Sequence, residues 1–330
     1  MESTEGLRLG WIGLGSMGLA MSVNIQKHLK RNALPPMRYW NRTLSRGDVL
    51  KEEGATPGHS IPEVVQTCDV IFISLESLMP CQVSDDEVLK GVVDEVIKSG
   101  SIKSKIFVDT TTVHPSTTTS ITTLLGNEEA SYVAAPVFGA TPVAQSGSLL
   151  MAVAGPSQAI ETISPFLKGV IARAVIVVGS EPSQALLLKT TSNFITAGLM
   201  YLLSEAHTFA SKTGLPGEVL ESLIEQNLGT YAHGVSKRLT SGAYFPAEGS
   251  APSSGLELGI KDVGHGVKLA REKGMKLDVG ELYLEAAEEA KAFGDEKGRK
   301  CDSSAVFGIV RQKAGLDFEN EKVKERDAAT

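Results

Sequence analysis

Lys189 and Asn193 stand four residues apart in the most apolar helical stretch of this chain, from Ala185 to Phe209. Four residues is about one helical turn, so the two side chains share a face. Leu186, Leu187 and Leu188 directly precede the lysine. An ammonium desolvated by such neighbours has its pKa lowered and can exchange a proton near neutral pH. The alternative is a solvent-facing lysine on an amphipathic helix, and composition alone favours it. A second group is Gly13-Leu14-Gly15-Ser16-Met17-Gly18, a GxGxxG motif. Its glycines suit a tight turn, close backbone approach to a pyrophosphate and close packing of a helix on a strand. The N-terminus of that helix offers N–H groups and a positive dipole end to phosphates. The plainer reading is a Gly-rich turn without a ligand. The strand before the motif and the helix after it favour a dinucleotide.

The end of the second strand holds the ribose-reading position. Residue 41 lies 41 − 18 = 23 residues beyond Gly18. An NAD enzyme places Asp or Glu there. This chain has Asn41-Arg42-Thr43 instead. No acid is present to pair with a 2′-hydroxyl, and the planar guanidinium of Arg42 suits a 2′-phosphate. The expected cofactor is NADP(H), against the alternative of a solvated surface arginine. Ser74 and Leu75, at the end of the third strand, join the candidate cofactor residues. Asp109-Thr110-Thr111-Thr112-Val113-His114-Pro115 ends another strand just before a helix. Ligands of open α/β sheets bind at that edge. An N-cap by Thr112 or Ser116 is the structural alternative. Six histidines show no metal-ligand spacing, and Cys68, Cys81 and Cys301 form no CxxC pair.

These groups need a scaffold. Leu7–Ile12, Met37–Trp40, Asp69–Leu75, Ile106–Asp109, Tyr132–Ala134, Leu149–Ala154 and Val175–Val178 read as strands. Helical patterns, beginning with Met17–Leu29, lie between several of them. Such alternation implies a mostly parallel sheet with helices on both faces. After Gly179 only helices follow: a long one over Ser183–Lys212, then Glu218–Gln226, Leu256–Lys273, Val279–Phe293 and Ser303–Lys313. The fold class is α/β: a Rossmann-type doubly wound N-terminal sheet, residues 1–180, joined by the long helix to an all-α domain, residues 181–330. Gly242–Ser254 reads as an irregular loop, and the charged tail from Asp317 is expected to fray.

Lys plus Arg is 32 and Asp plus Glu is 39, giving a net charge of −7. That balance argues against a nucleic-acid partner. No apolar run free of charged and polar residues reaches bilayer length. The polar start leaves no room for a signal peptide, and the cysteine usage suits a reducing compartment. The expected location is the cytoplasm.

Taken in order, these motifs resemble the β-hydroxyacid dehydrogenase family, which includes 3-hydroxyisobutyrate dehydrogenases and glyoxylate/succinic semialdehyde reductases. The resemblance runs from about Leu9 to Phe307. It rests on the glycine motif, Asn41-Arg42-Thr43, Asp109–Pro115, Ala135-Pro136-Val137, the Lys189/Asn193 pair and Lys261-Asp262. It implies an oxidoreductase moving a hydride between NADP(H) and a small aldehyde, keto acid or hydroxy acid, in a cleft between two domains. Lys189 resembles the catalytic lysine and Asn193 the amide that orients the reacting oxygen. Thr112 and Lys261 resemble cofactor contacts. Thr111, Phe138, Gly139 and Ala140 complete the expected substrate side. Homodimers or homotetramers are usual in the family, and no metal is expected.

Two departures stand out. The family often has Ser-Gly-Gly after Ala-Pro-Val, where this chain has Phe138-Gly139-Ala140. Ser183 and Ala185 replace glycines six and four residues before the lysine. The expected effect is added bulk beside the substrate, favouring a larger or less polar one. Two alternatives are an imine reductase of the same architecture, which usually lacks the lysine, and a non-catalytic NADP-binding scaffold.

Overall fold

The computed structural model describes residues 6–75 and 85–329. Cys81 lies outside them; Cys68 and Cys301 are buried and free. The chain divides into two compact units, Met1–Lys189 and Thr190–Thr330. The division falls inside the long helix rather than at residue 180.

The first unit alternates strands and helices: β1 (Leu9–Ile12), α1 (Ser16–Arg31), β2 (Arg38–Trp40), α2 (Asp48–Glu52), β3 (Thr56–Pro57), α3 (Ile61–Thr67), β4 (Val70–Ile73), α4 (Asp85–Lys98), β5 (Ile106–Asp109), α5 (Pro115–Asn127), β6 (Ser131–Ala134), β7 (Val137–Phe138), α6 (Thr141–Gln145), β8 (Leu149–Ala154), α7 (Ser157–Ile163) and β9 (Ala172–Gly179). The sheet runs β3-β2-β1-β4-β5-β6-β8-β7, with β9 on β8. Strands β1 to β6 pair in parallel, and β8 is antiparallel to β6 and β7. The first six strands have the doubly wound order 3-2-1-4-5-6, whose ligand crevice lies beyond the carboxyl ends where the order reverses, at β1 and β4.

Burial on both faces explains why these strands are apolar almost throughout. Side chains alternate between two cores. Trp11, Phe72, Val108 and Val133 face one core with Met21, Ile25 and Leu29 of α1. Ile12, Ile71, Ile73 and Phe107 face the other with Val64 of α3, Leu89 of α4 and Ile121 of α5.

The remaining elements are helical: α8 (Ser183–Thr213), α9 (Gly217–Thr240), α10 (Leu256–Glu272), α11 (Asp278–Glu296), α12 (Val306–Lys313) and α13 (Glu321–Ala328). Met200, Leu203, Leu239, Val263, Tyr283 and Phe307 share the core of the second unit. By length and composition α8 is apolar enough to cross a membrane, unlike the sequence expectation. Part of its apolar surface is buried within the two units. Ala185 and Leu186 belong to a core of the first unit, and Ala197, Met200 and Leu203 to that of the second.

The tail expected to fray is docked. Phe318 and Val323 are buried within the second unit's core. The side chain of Asn320 caps α13 by accepting from Val323 N at 3.0 Å. The Tyr244 hydroxyl donates to the Phe318 carbonyl at 2.7 Å and accepts from Asn320 N at 2.8 Å. Charged residues dominate the segment because its outer face is solvated, which hides these few anchors in the sequence.

Candidate active site

The glycine loop sits between β1 and α1, at the reversal of strand order. Gly13 has φ +96°, and a Cβ there would collide with the Ser74 carbonyl. A Cβ at Gly18 would collide with the Gly13 carbonyl. Both positions therefore admit only glycine, because the turn packs directly on the end of β4 and α1 packs directly on the turn. Gly15 at the N-cap brings no side-chain cap, and the first turn of α1 holds no acid. That N-terminus favours an anion.

Neighbouring groups hold the loop rigid. Trp11 stacks on Phe72, centroids 5.3 Å apart, and its indole N–H donates to Gly13 O at 2.7 Å. Gly13 N donates to Trp40 O at 3.0 Å. Asn41, expected to touch the cofactor, accepts from Leu14 N at 2.9 Å and donates to Thr43 O at 2.9 Å. It thus splints the loop to the end of β2. Arg42 and Thr43 are exposed, as is Arg46 on the turn that follows. Arg42 forms no ion pair among the described residues.

A second network fixes the ends of β4, β5 and β6. Asp109 is buried, yet it accepts from Thr111 N at 2.9 Å and from the Tyr132 hydroxyl at 2.6 Å. Burial pushes its carboxyl up from 3.8 to about 6, against the opposing pull of the Thr111 and Tyr132 hydrogen bonds. Burial and the Asp109 charge also raise the Tyr132 phenol. Thr111 Oγ1 in turn accepts from Leu75 N at 3.1 Å. Thr111, Ser74 and Leu75 are thereby brought to one edge beside the glycine loop. The sequence reading missed Asp109 and Tyr132 as organisers. A tyrosine in an aliphatic strand next to an acid-ended strand was the available signal. The cap of α5 also differs from expectation: His114, not Thr112 or Ser116, occupies the N-cap, its Nδ1 accepting from Ser116 N at 3.3 Å.

Lys189 ends the first unit. Its ammonium donates to Val137 O at 2.9 Å and lies 5.2 Å from the centroid of the Phe138 ring. Carbonyl oxygen and ring face both attract a cation. The solvent-facing alternative is thus replaced by a lysine bent onto β7. The pose of β7 is set from behind, since Asp109 O accepts from Ala135 N at 2.7 Å and Pro136 O from Ala152 N at 3.0 Å. Gly139 and Ala140 follow β7 and lead into α6. Ala185 is wholly buried in a core, so its methyl group packs there rather than beside an open pocket.

The second unit carries the other candidates. Asn193 Nδ2 donates to Asp262 Oδ2 at 2.9 Å. Lys261 Nζ lies 3.3 Å from Asp262 Oδ1. Asp262 therefore orients Asn193 and pairs with Lys261, a role the sequence reading did not give it. No cluster of His, Cys, Asp or Glu able to hold a metal occurs among the described residues.

Residues 8–179 match the family described as the NAD binding domain of 6-phosphogluconate dehydrogenase. The chain is 27% identical to the NADH-dependent oxidoreductase ucdB of Aspergillus ustus, over 92% of this chain and 98% of that one. It is 28% identical to glyoxylate/succinic semialdehyde reductase 1 of Arabidopsis thaliana, over 92% and 99%. Its fold matches the 3-hydroxyisobutyrate dehydrogenase of Mycobacterium tuberculosis, solved with L-serine, at a TM-score of 0.76 and 20% identity, over 92% and 99%. The chain belongs to the family of the 6-phosphogluconate dehydrogenase NAD binding domain, and is an NAD(P)-binding oxidoreductase of β-hydroxyacid dehydrogenase type.

Proposed function

We propose that this protein uses NADP(H) to interconvert a small aldehyde or keto acid and its hydroxy acid, of glyoxylate, succinic semialdehyde or 3-hydroxyisobutyrate type, with Lys189 as proton donor and acceptor. The observation that carries this reading is the Lys189 ammonium held against Val137 O and the Phe138 ring. When bound, the dinucleotide supplies the hydride. The Gly13–Gly18 loop and the N-terminus of α1 hold its pyrophosphate, with Ser74, Leu75 and Thr112 beside it. Arg42 takes the 2′-phosphate. Lys261 is a further cofactor contact by family resemblance.

Lys189 gives its proton to the oxygen that develops negative charge as the carbonyl is reduced, and removes it in the reverse direction. Asn193, its amide fixed by Asp262, orients that oxygen. Thr111, Phe138, Gly139 and Ala140 contact the rest of the substrate. The NADP preference rests on Arg42 and on the missing acid at position 41, although one relative is named as NADH-dependent.

A homodimer or homotetramer in the cytoplasm completes the reading. Ile195, Leu202 and Phe209 support association: they are exposed on α8 and stand seven residues apart, the spacing of a helix-pairing seam. The test of function is oxidation of NADPH and of NADH, followed by absorbance, with glyoxylate, succinic semialdehyde, a bulkier aldehyde and a cyclic imine. Turnover of an aldehyde with NADPH supports the reading. Turnover of the imine alone makes it an imine reductase, and no turnover at all makes it a scaffold.

A further inference from the structure

The second unit contains a cavity of about 360 Å³ whose lining includes His207, Ser211, Phe307, Arg311, Leu316 and Lys322. None of these residues belongs to the nucleotide site or to the Lys189 and Asn193 groups. The volume falls in the range of small-molecule sites, roughly 300–1,000 Å³.

Arg311 is the telling residue. It is 8% exposed, so most of its side chain is packed and only the tip of the guanidinium reaches the cavity. A buried charge is tolerated when it is paired and hydrogen-bonded. Here Nε donates to Asp317 O at 3.0 Å, and the guanidinium carbon lies 5.5 Å from the Phe307 ring centroid. The two terminal nitrogens of the fork have no hydrogen-bond or ion-pair partner among the described residues.

The carboxylates nearby have other cations as their closest partners, although the Arg311 charge also helps to lower the Asp317 carboxyl. Asp317 is 2.7 Å from the Lys324 ammonium, and Glu321 is 3.2 Å from the same group. Glu221 accepts from Thr240 and lies 3.6 Å from Lys237 Nζ. A guanidinium fork at a cavity wall presents paired donors that match the two oxygens of a carboxylate.

The rest of the wall agrees with an anion of single charge. Asn320, Glu321 and Lys322 bring the capped N-terminus of α13 to the cavity; that helix end favours negative charge, and the Glu321 carboxylate there is paired with Lys324. Lys322 is exposed and already pairs with Glu325 at 2.9 Å. His207 bonds to Ser236 Oγ at 2.7 Å, and burial pushes its imidazole down toward the neutral form. Arg311 is thus the one deeply buried cation in the lining. Phe307 and Leu316 supply apolar surface beside it.

We propose that this cavity binds a small organic monocarboxylate, its two oxygens on the Arg311 fork and its apolar body against Phe307 and Leu316. The site is additional to the substrate site and does not depend on the proposed reaction. Inorganic phosphate is a poorer occupant, because it carries more charge than one buried guanidinium balances and has no apolar body.

The test is calorimetric titration of the full chain with butyrate, butyramide and inorganic phosphate. The wild type, Arg311→Gln, Ser211→Trp and Lys189→Ala are compared. Ser211 borders the cavity, so tryptophan there obstructs it and leaves Arg311 in place. Butyrate is expected to bind the wild type and Lys189→Ala alike. Both cavity variants are expected to weaken it by roughly tenfold or more, Arg311→Gln by loss of hydrogen bonds to a charged group and Ser211→Trp by obstruction. Butyramide and phosphate are expected to bind more weakly than butyrate. No butyrate binding by the wild type, or loss in Lys189→Ala with none in Ser211→Trp, would overturn the proposal. Phosphate binding as tightly as butyrate would overturn the monocarboxylate assignment. If Arg311→Gln does not fold, Ser211→Trp decides, since it keeps the buried guanidinium.

Discussion

The Lys189 ammonium donates to the carbonyl oxygen of Val137 at 2.9 Å, and the next residue, Phe138, lays its ring 5.2 Å away. One short strand, β7, therefore supplies both an acceptor and a cover for the cation. A change at residue 138 acts directly on the surroundings of Lys189. Phe138→Ser opens this cover and adds a hydroxyl donor for a substrate carboxylate. The KM for glyoxylate should fall by roughly three- to tenfold, the effect of one added hydrogen bond. Steady-state kinetics with glyoxylate and with a longer, more apolar aldehyde check this. An unchanged or higher KM for glyoxylate would count against a substrate-facing Phe138.

Arg42 is exposed and free of ion pairs among the described residues, beside the loop that Asn41 splints. Arg42→Ala should weaken NADPH by about 1.5–3 kcal/mol, the worth of a charge-assisted contact, and leave NADH nearly unchanged. Fluorescence titration of both cofactors measures the difference. Equal losses for the two, or a wild type that prefers NADH, would remove Arg42 from the 2′-phosphate.

Asp109 makes stability depend on pH in a direction opposite to that of an ion-paired carboxylate. Burial raises it from 3.8 to about 6. The folded protein therefore holds the proton more tightly than the unfolded chain does. Its contribution is most favourable below about pH 4 and is lost as pH rises through about 6. The full span is worth about 3 kcal/mol. Asp109→Asn can still accept from Thr111 N and can donate to the Tyr132 oxygen. Urea unfolding at matched pH should show the wild type losing stability relative to this variant between pH 4.5 and 7. Parallel curves would show that Asp109 does not titrate there.

The first unit was legible because its rules are local. Short, nearly continuous apolar runs mark the central strands, and the Gly13–Gly18 spacing names the turn between β1 and α1. The pairing of Lys189 with Val137 spans 52 residues, and that of Asn193 with Asp262 spans 69. No local pattern encodes such contacts, so composition alone left a solvent-facing Lys189 open and Asp262 read as only a neighbour of Lys261. Asn41 shows another limit. Its position by the ribose was readable, but its use as a splint for Leu14 depends on backbone geometry. The tail misled for a similar reason, since the burial of Phe318 and Val323 is set by partners far back in the chain, such as Tyr244.

The central claim is that Lys189 moves the proton while other residues hold the cofactor. General acid–base catalysis by one group is typically worth about 10²- to 10⁴-fold. The most direct measurement is turnover and NADPH affinity on the same folded sample of Lys189→Ala, with Lys189→Arg beside it. Both variants should lose that factor in kcat, Lys189→Arg because a guanidinium keeps its proton at working pH, and both should keep NADPH affinity nearly intact because the glycine loop and Arg42 hold the cofactor. Near-normal turnover in Lys189→Ala would contradict it, as would turnover and cofactor binding falling together.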